Sequence, residues 1–328
     1  MRPFKYTRAS DLSSAVQAVS ANADARFIAG GTNILDLMKE GVENPSELID
    51  ISRLSLTQIR PTATGLSIGA LAKNTDTANH PMVRRDYPLL TQAILAGASA
   101  QIRNMATNGG NLMQQTRCAY FYDVAMPCNK REPGAGCGAF EGYNRNHAIL
   151  GWNANCVDVH PSDMCVALVA LDATVNVQGA RGKTRSIPFA DFYQPAADMA
   201  MSDTSLKHGE LITSIDLPKD SFAGNSYYLK VRDRASYAFA LVSVAAALEL
   251  SGGKIKQVRL AMGGVAPKPW RASEAEKVLV GKAPAEENFR AAADAEMKAA
   301  KPLEHNKFKI ELGRRAMVLA LKRAVGKV

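Results

Sequence analysis

An α+β fold in three parts is what the sequence predicts, and three observations carry that expectation. A strand, a glycine turn and a helix open the chain and close a small unit near residue 56. From 57 to 219, short strand and helix patterns surround a stretch with no period at all. From 220 to 328, long strand patterns come first and an Ala-, Glu- and Lys-rich tail follows. Strand runs followed by helix runs read as α+β. The 328 residues, 47% of them apolar, suffice for two or three domains. They show no repeat at solenoid or propeller spacing.

The elements follow in order. Asp11 to Ala21 is helical, with Leu12, Ala15, Val16 and Val19 on one face. Arg26 to Ala29 reads as a short buried strand, Gly30-Gly31-Thr32-Asn33 breaks it, and Ile34 to Met38 resumes with helical spacing. Glu47 to Ile51 and Gly65 to Ala70 read as strands. Pro88, at a first-turn position, opens a helix expected over Leu89 to Ile102. That helix runs into a second glycine turn, Thr107-Asn108-Gly109-Gly110-Asn111. Cys118 to Cys156 is rich in Gly, Asn, Cys and Pro; a buried run from Cys165 to Leu171 and a segment from Ala173 to Val177 restore regular structure. Ser226 to Val231, Phe239 to Leu250 and Gln257 to Met262 are strand patterns, Pro267, Pro269 and Trp270 mark a turn, and Ala272 to Val328 reads as helices.

Net charge is +9, but the basic residues are scattered without interleaved aromatics. No nucleic-acid face is expected; docking against acidic protein surfaces fits the surplus better. Only Lys230, Arg232 and Arg234 alternate closely, which in a strand puts them on one face. The start, Met1-Arg2-Pro3-Phe4-Lys5, lacks the apolar core of a signal peptide. The longest apolar stretch, Ala238 to Leu248, is too short to span a bilayer, so no membrane insertion is expected. There is no Ser/His/Asp or Cys/His constellation for hydrolysis, and the five histidines are dispersed.

Both glycine bends expose backbone N–H groups where no Cβ blocks approach. Oriented N–H donors at a helix start suit a pyrophosphate, with Thr32 and Asn33, or Thr107 and Asn111, adding side-chain hydrogen bonds. The alternative is a pair of tight turns that need glycine for positive φ. Neither bend fits GxGxxG or GxxxxGK[ST]. Four of the five cysteines, Cys118, Cys128, Cys137 and Cys156, fall in the irregular stretch; Cys165 sits in an apolar run as a small hydrophobe. Clustered thiols without a secretory signal favour metal over disulfides. Their intervals of nine, eight and eighteen residues contain no CxxC knuckle, which weakens zinc and leaves a cluster wrapped by single ligands.

Phe27-Ile28-Ala29-Gly30-Gly31-Thr32-Asn33-Ile34, with Leu35 following, resembles the first FAD signature of the xanthine oxidase family flavin subunits. Thr107 to Asn111 resembles the second; Pro161-Ser162-Asp163 resembles a step carrying a ribityl-contacting Asp163. Leu211 to Ile215 with Pro218, then Lys230, is similar to a further pair of flavin contacts, Ile212 among them. Arg234 to Val244 is similar to the start of the family's carboxy-terminal domain. The resemblance implies a vanillyl-alcohol-oxidase (PCMH) type FAD fold: subdomain 1 over 1–56, subdomain 2 over 57–219, and a CO dehydrogenase flavoprotein type domain over 220–328. It implies that Lys230 tunes the flavin from its pyrimidine edge, against the alternative of a solvated strand residue. Asp163 reads as a ribityl acceptor or as a helix-start residue beside a Ser162 cap.

Residues 117–157, with Arg117-Cys118-Ala119-Tyr120, Pro127-Cys128-Asn129-Lys130, Gly136-Cys137 and Cys156, resemble the [4Fe–4S] insertion of bacterial aldehyde oxidoreductase flavin subunits. The runner-up is a 4-hydroxybenzoyl-CoA reductase-like flavin subunit; a zinc-stabilised scaffold is the reading from another class. The resemblance implies a heterotrimer, with the molybdenum cofactor on a large subunit and [2Fe–2S] clusters on a small one. Electrons from aldehyde oxidation would pass through the [2Fe–2S] centres to FAD and an external acceptor, with no substrate-converting residue in this chain. A cytoplasmic location is expected from the missing signal, or export on a signal-bearing partner.

Overall fold

The computed structural model describes residues 1–194, 203–219 and 222–326. Asp220, at the expected third boundary, lies outside them. Three sheets succeed one another along the chain. The first holds β1 (Lys5–Arg8), β2 (Ala25–Ile28) and β3 (Glu47–Asp50) in the order β1-β3-β2, all parallel. Parallel strands need crossovers, and α1 (Leu12–Ala21) and α2 (Ile34–Lys39) supply them. Asp11 caps α1 by accepting the Ser14 N–H, and the buried stripe Ala15, Val16 and Val19 seals it to the sheet.

The second unit is built on five antiparallel strands. Before the cysteine segment come β4 (Ile59–Thr62), β5 (Gly65–Gly69), α3 (Asn74–Asn79), α4 (Pro81–Asp86), α5 (Pro88–Ala96), α6 (Ala100–Met105), α7 (Asn108–Leu112) and α8 (Ala119–Tyr122). After it come α9 (Asp163–Ala170), β6 (Thr174–Gln178), β7 (Thr184–Pro188), α10 (Phe189–Phe192) and β8 (Leu211–Pro218), giving the order β4-β5-β8-β6-β7. The third unit pairs β9 (Ser226–Val231), β10 (Val242–Ser251), β11 (Lys254–Gly263) and β12 (Trp270–Arg271) antiparallel. Helices α11 (Ser273–Leu279), α12 (Glu286–Met297) and α13 (Phe308–Ala324) follow, and α13 packs on β9 and β10.

Two expectations need correction, and one is made specific. The helix expected over 89–102 is two helices. Gly97 ends α5, Ala98 takes a positive φ of 51°, and Ser99 starts α6 by accepting the Ile102 N–H. The run from Cys165 to Leu171 is helical; every residue of α9 is buried because it packs against α5, β10 and β11 at once. The strand expected from Phe239 begins at Val242, since Tyr237 and Phe239 stand exposed in a loop.

The segment 117–157 adds turns and the single helical turn α8 rather than a sheet or a long helix. Its tail leaves the second unit: Ile149 and Leu150 sit in the hydrophobic core of the third. Both backbone N–H groups donate to Val265 O at 2.9 Å, and the Trp152 indole donates to Lys301 O at 2.7 Å.

Candidate functional site

A cleft of about 700 Å³ opens where the three units meet. Its size falls within the roughly 300–1,000 Å³ of cofactor sites. Of the expected site residues, Thr32, Asn33, Gly110, Asn111, Asp163 and Lys230 line it directly. The others stand behind that surface. Gly30 backs onto the second bend, where a Cβ would lie 2.1 Å from Met105 O; only glycine lets the two bends touch. Gly31 takes a φ of 72° and packs against Leu35. Phe27 and Ala29 pack on the first unit's core, Ile28 pairs in β2, and Ile34 starts α2. Ile212 belongs to the buried core of the second unit, so its side chain is packing and not cleft surface.

The second bend is organised internally. Thr107 Oγ1 caps α7 by accepting the Gly110 N–H at 3.2 Å. Asn108 is buried and donates to Thr77 Oγ1 at 2.8 Å, while Gly109 donates its N–H to Ala70 O at 2.7 Å. Asn111 Oδ1 accepts from Ser162 Oγ and from Gln114, and its Nδ2 donates to Asn74. The described bonds of Thr107 and Asn111 hold this segment in place, and Asn111 also lines the cleft. The first bend differs. Asn33 Oδ1 accepts the Gln115 N–H at 3.0 Å, but its buried Nδ2 has no partner among the described residues, and α2 starts without a side-chain cap. An orphaned donor beside an uncapped helix start fits an anionic ligand.

Lys230 is not a solvated strand residue. Its Nζ is bonded to Asp163 Oδ2 at 2.7 Å and to Ala96 O at 3.1 Å, with side-chain exposures of 4% and 6% for the pair. Arg232, on the same face as expected, donates to the same carbonyl. Both readings of Asp163 are present in one residue: it opens α9, whose cap is Ser162, and it lines the cleft. Tyr228 donates to its other oxygen at 2.7 Å; burial and Asp163 hold that hydroxyl well above the usual tyrosine range. The break at Gly97 is what lets this happen, because it frees the Ala96 carbonyl and brings the chain to within a Cβ contact of Asp163.

The cysteine segment folds into a second, much smaller cavity. Cys118, Cys128, Cys137 and Cys156 all line it, with Cys128 and Cys137 facing each other across a backbone bridge. None is in a disulfide, and Cys165 is apart, buried beside the Tyr193 hydroxyl. Burial pushes the Cys118 thiol up to about 12 and raises Cys137 and Cys156 as well. Uncharged buried thiols become ligands only when a cation stabilises the thiolates. Among the described residues no three His, Cys, Asp or Glu side chains converge on one ion-sized point. A set of four thiols is the donor chemistry of zinc or of an iron–sulfur cluster. Beside Cys156 lies buried Lys130, salt-bridged to Asp158 at 2.9 Å and to Asp203. Burial pulls this ammonium down, but the two carboxylates outweigh it and hold it above the ordinary lysine value.

Sequence reasoning missed the histidines. His147 lines both cavities, as do Thr116 and Cys118. His160 lines the cleft, accepts the Ser162 N–H on Nδ1, and is pushed down to about 3 by burial. Tyr237, with a positive φ of 51°, and Phe239 face the cleft from the loop between β9 and β10. Helical or strand period has no bearing on residues in such loops; the resemblance over Arg234 to Val244 was the signal that covered Tyr237 and Phe239.

The profile described as FAD binding domain in molybdopterin dehydrogenase matches residues 2–220, and that of the CO dehydrogenase flavoprotein C-terminal domain matches 227–328. The chain is 48% identical over 325 residues to the aldehyde oxidoreductase FAD-binding subunit PaoB of Escherichia coli (strain K12), covering 99% of each. It is 32% identical to the glyceraldehyde dehydrogenase medium chain of Sulfolobus acidocaldarius, covering 85% and 82%. Its fold matches a chain in the structure of carbon monoxide dehydrogenase from Hydrogenophaga pseudoflava with a TM-score of 0.77 and 27% identity, covering 100% and 99%. With bends, cleft and both domain matches in agreement, the chain belongs to the FAD-binding subunits of the xanthine oxidase family of molybdenum hydroxylases.

Proposed function

We propose that this chain is the flavin and iron–sulfur electron-transfer subunit of a molybdenum-dependent aldehyde oxidoreductase. It would assemble with a large subunit carrying the molybdenum cofactor and a small subunit carrying [2Fe–2S] clusters. The aldehyde reading rests on the name of the PaoB relative and its 48% identity over nearly the whole chain. The observation that carries the rest is that two cavities share a wall, one rimmed by glycine bends and one lined by four cysteines.

The domain limits 1–56, 57–219 and 220–328 are supported by the three sheets, which span 5–50, 59–218 and 226–271. FAD supplies a junction between two-electron and one-electron transfers when bound. Thr32, Asn33 and Gly110 would hold its diphosphate, with the orphaned Asn33 amide as donor. Asp163 and Lys230 form a neutral pair in the cleft wall, so the lysine's influence on reduced flavin is moderated by the carboxylate it bonds. Cys118, Cys128, Cys137 and Cys156 would hold one [4Fe–4S] cluster. Among the described residues no helix is long and apolar enough to cross a membrane.

The test is an absorption spectrum with flavin and metal analysis of the chain purified with its partners. One FAD and about four irons per chain are expected for a four-cysteine cubane. Colourless protein, or a single zinc with no flavin, would overturn the reading in favour of a scaffold.

A further inference from the structure

The wall between the two cavities is made by very few side chains, and one of them is a buried histidine with an unusual set of contacts. His147 is 6% exposed, and its Nε2 lies 3.1 Å from Cys118 Sγ. Its Nδ1 is buried and has no partner among the described residues. That asymmetry decides where the proton sits. A proton on Nδ1 would leave a buried N–H unsatisfied and turn the Nε2 lone pair toward sulfur; a proton on Nε2 gives the sulfur a donor and leaves only an idle acceptor.

The ring is also held in place with more than ordinary care. The His147 carbonyl accepts from Lys309 Nζ at 2.9 Å and from Asn306 Nδ2 at 3.2 Å. Lys309 is fully buried, and its Nζ also bonds to Gly264 O, at 2.7 Å; Gly264 itself lines the cleft. These two bonds to carbonyls fix the backbone that carries the imidazole.

We propose that His147 is a positioning residue for the cysteine pocket, donating Nε2–H to Cys118 Sγ and thereby raising the reduction potential of the iron–sulfur group held there. The inference rests on the cluster reading above. Its physical basis is that reduction adds negative charge to the sulfur ligands, and a donor fixed on one of them stabilises that charge. Cys137 and Cys156 take backbone hydrogen bonds, from Ala139 and Val157 and from Asp158, whereas Cys118 meets the imidazole of His147.

The test uses the intact multi-subunit complex, labelled with ¹⁵N-histidine and studied by pulsed electron paramagnetic resonance after reduction. The wild-type cluster should show a coupling to histidine nitrogen that His147→Phe abolishes. An EPR-monitored redox titration should show the His147→Phe cluster harder to reduce by about tenfold in equilibrium constant, 59 mV for one electron. His147→Gln, which restores an N–H donor, should recover part of the shift, and the flavin potential should stay put in both. No histidine coupling in the wild type, or an unchanged midpoint in an iron-replete His147→Phe complex, would overturn the inference. If His147→Phe loses its iron, the wild-type coupling alone decides. If the wild type holds flavin but no iron, the cluster reading itself fails and takes this inference with it.

Discussion

The two cavities hold their chemistry in opposite ways. The cleft is shaped by absence: Gly30 allows one bend to touch another, Gly31 supplies a left-handed turn, and the bends are braced by their own hydrogen bonds. Helices and strands supply part of its wall, among them α5, α9 and β9, and loops supply the rest. The cysteine pocket has almost no regular structure around it, and burial raises the thiols of Cys118, Cys137 and Cys156. A site of the first kind keeps its shape without its ligand. A site of the second kind gains much of its stability from what it binds.

That contrast can be broken by experiment. The largest effect is expected at the cysteines: Cys156→Ser should abolish iron binding and loosen residues 117–157 to proteolysis, while FAD stays bound. Loss of flavin together with iron would mean the cavities are one cooperative site. Next comes Lys230→Met, which strands Asp163 in a buried wall and should cost about 3–5 kcal/mol in denaturant unfolding. Adding Asp163→Leu should restore most of it, because an apolar pair can replace an ionic one. Glycine substitutions sharpen the picture further. Gly30→Ala drives a Cβ into the Met105 carbonyl and should lower stability by about 1–3 kcal/mol. Gly110→Ala meets only the Thr107 hydroxyl, at 3.0 Å, so it should leave stability nearly unchanged and weaken flavin retention.

The effect spread most thinly, over several pH units, is a slope in pH. Burial holds His160 at about 3 in the folded chain, below the 6.5 it has when unfolded. The unfolded chain therefore takes up the proton first. The stability this neutral histidine contributes is complete above pH 6.5 and is lost as pH falls toward 3, at up to about 1.4 kcal/mol per pH unit. Urea unfolding across that window should show a flatter slope for His160→Gln; an identical slope would assign the acid sensitivity elsewhere.

Much of this was legible in the sequence where local chemistry is decisive. Asp11 and Pro88 mark helix starts, and the Gly30 bend falls where the residues said a turn would be; the second glycine segment, expected as a turn, is instead the helix α7 with Thr107 as its cap. Cys165 to Leu171 reads as buried, and it is; a short apolar run enclosed on all sides carries no period to separate helix from strand, so its helical form was not legible. Gly97 and Ser99 hold ordinary stop and start signals, but the apolar spacing of Leu89, Ala93 and Ile102 overrode them. The histidines were opaque for a deeper reason: His147 and Cys118 are 29 residues apart, and Lys309 reaches the same point from 162 residues away. No window along the chain contains that geometry.

The tail of the cysteine segment has one more consequence. Ile149 and Leu150 are held by Val265, and Trp152 and His147 are gripped by Lys301 and Lys309. On a ribosome, the thiols emerge more than a hundred residues before the groups that close over them. Closure of the cysteine pocket is thus timed to the end of synthesis: a chain truncated before residue 301 should present more readily alkylated cysteines than the full chain.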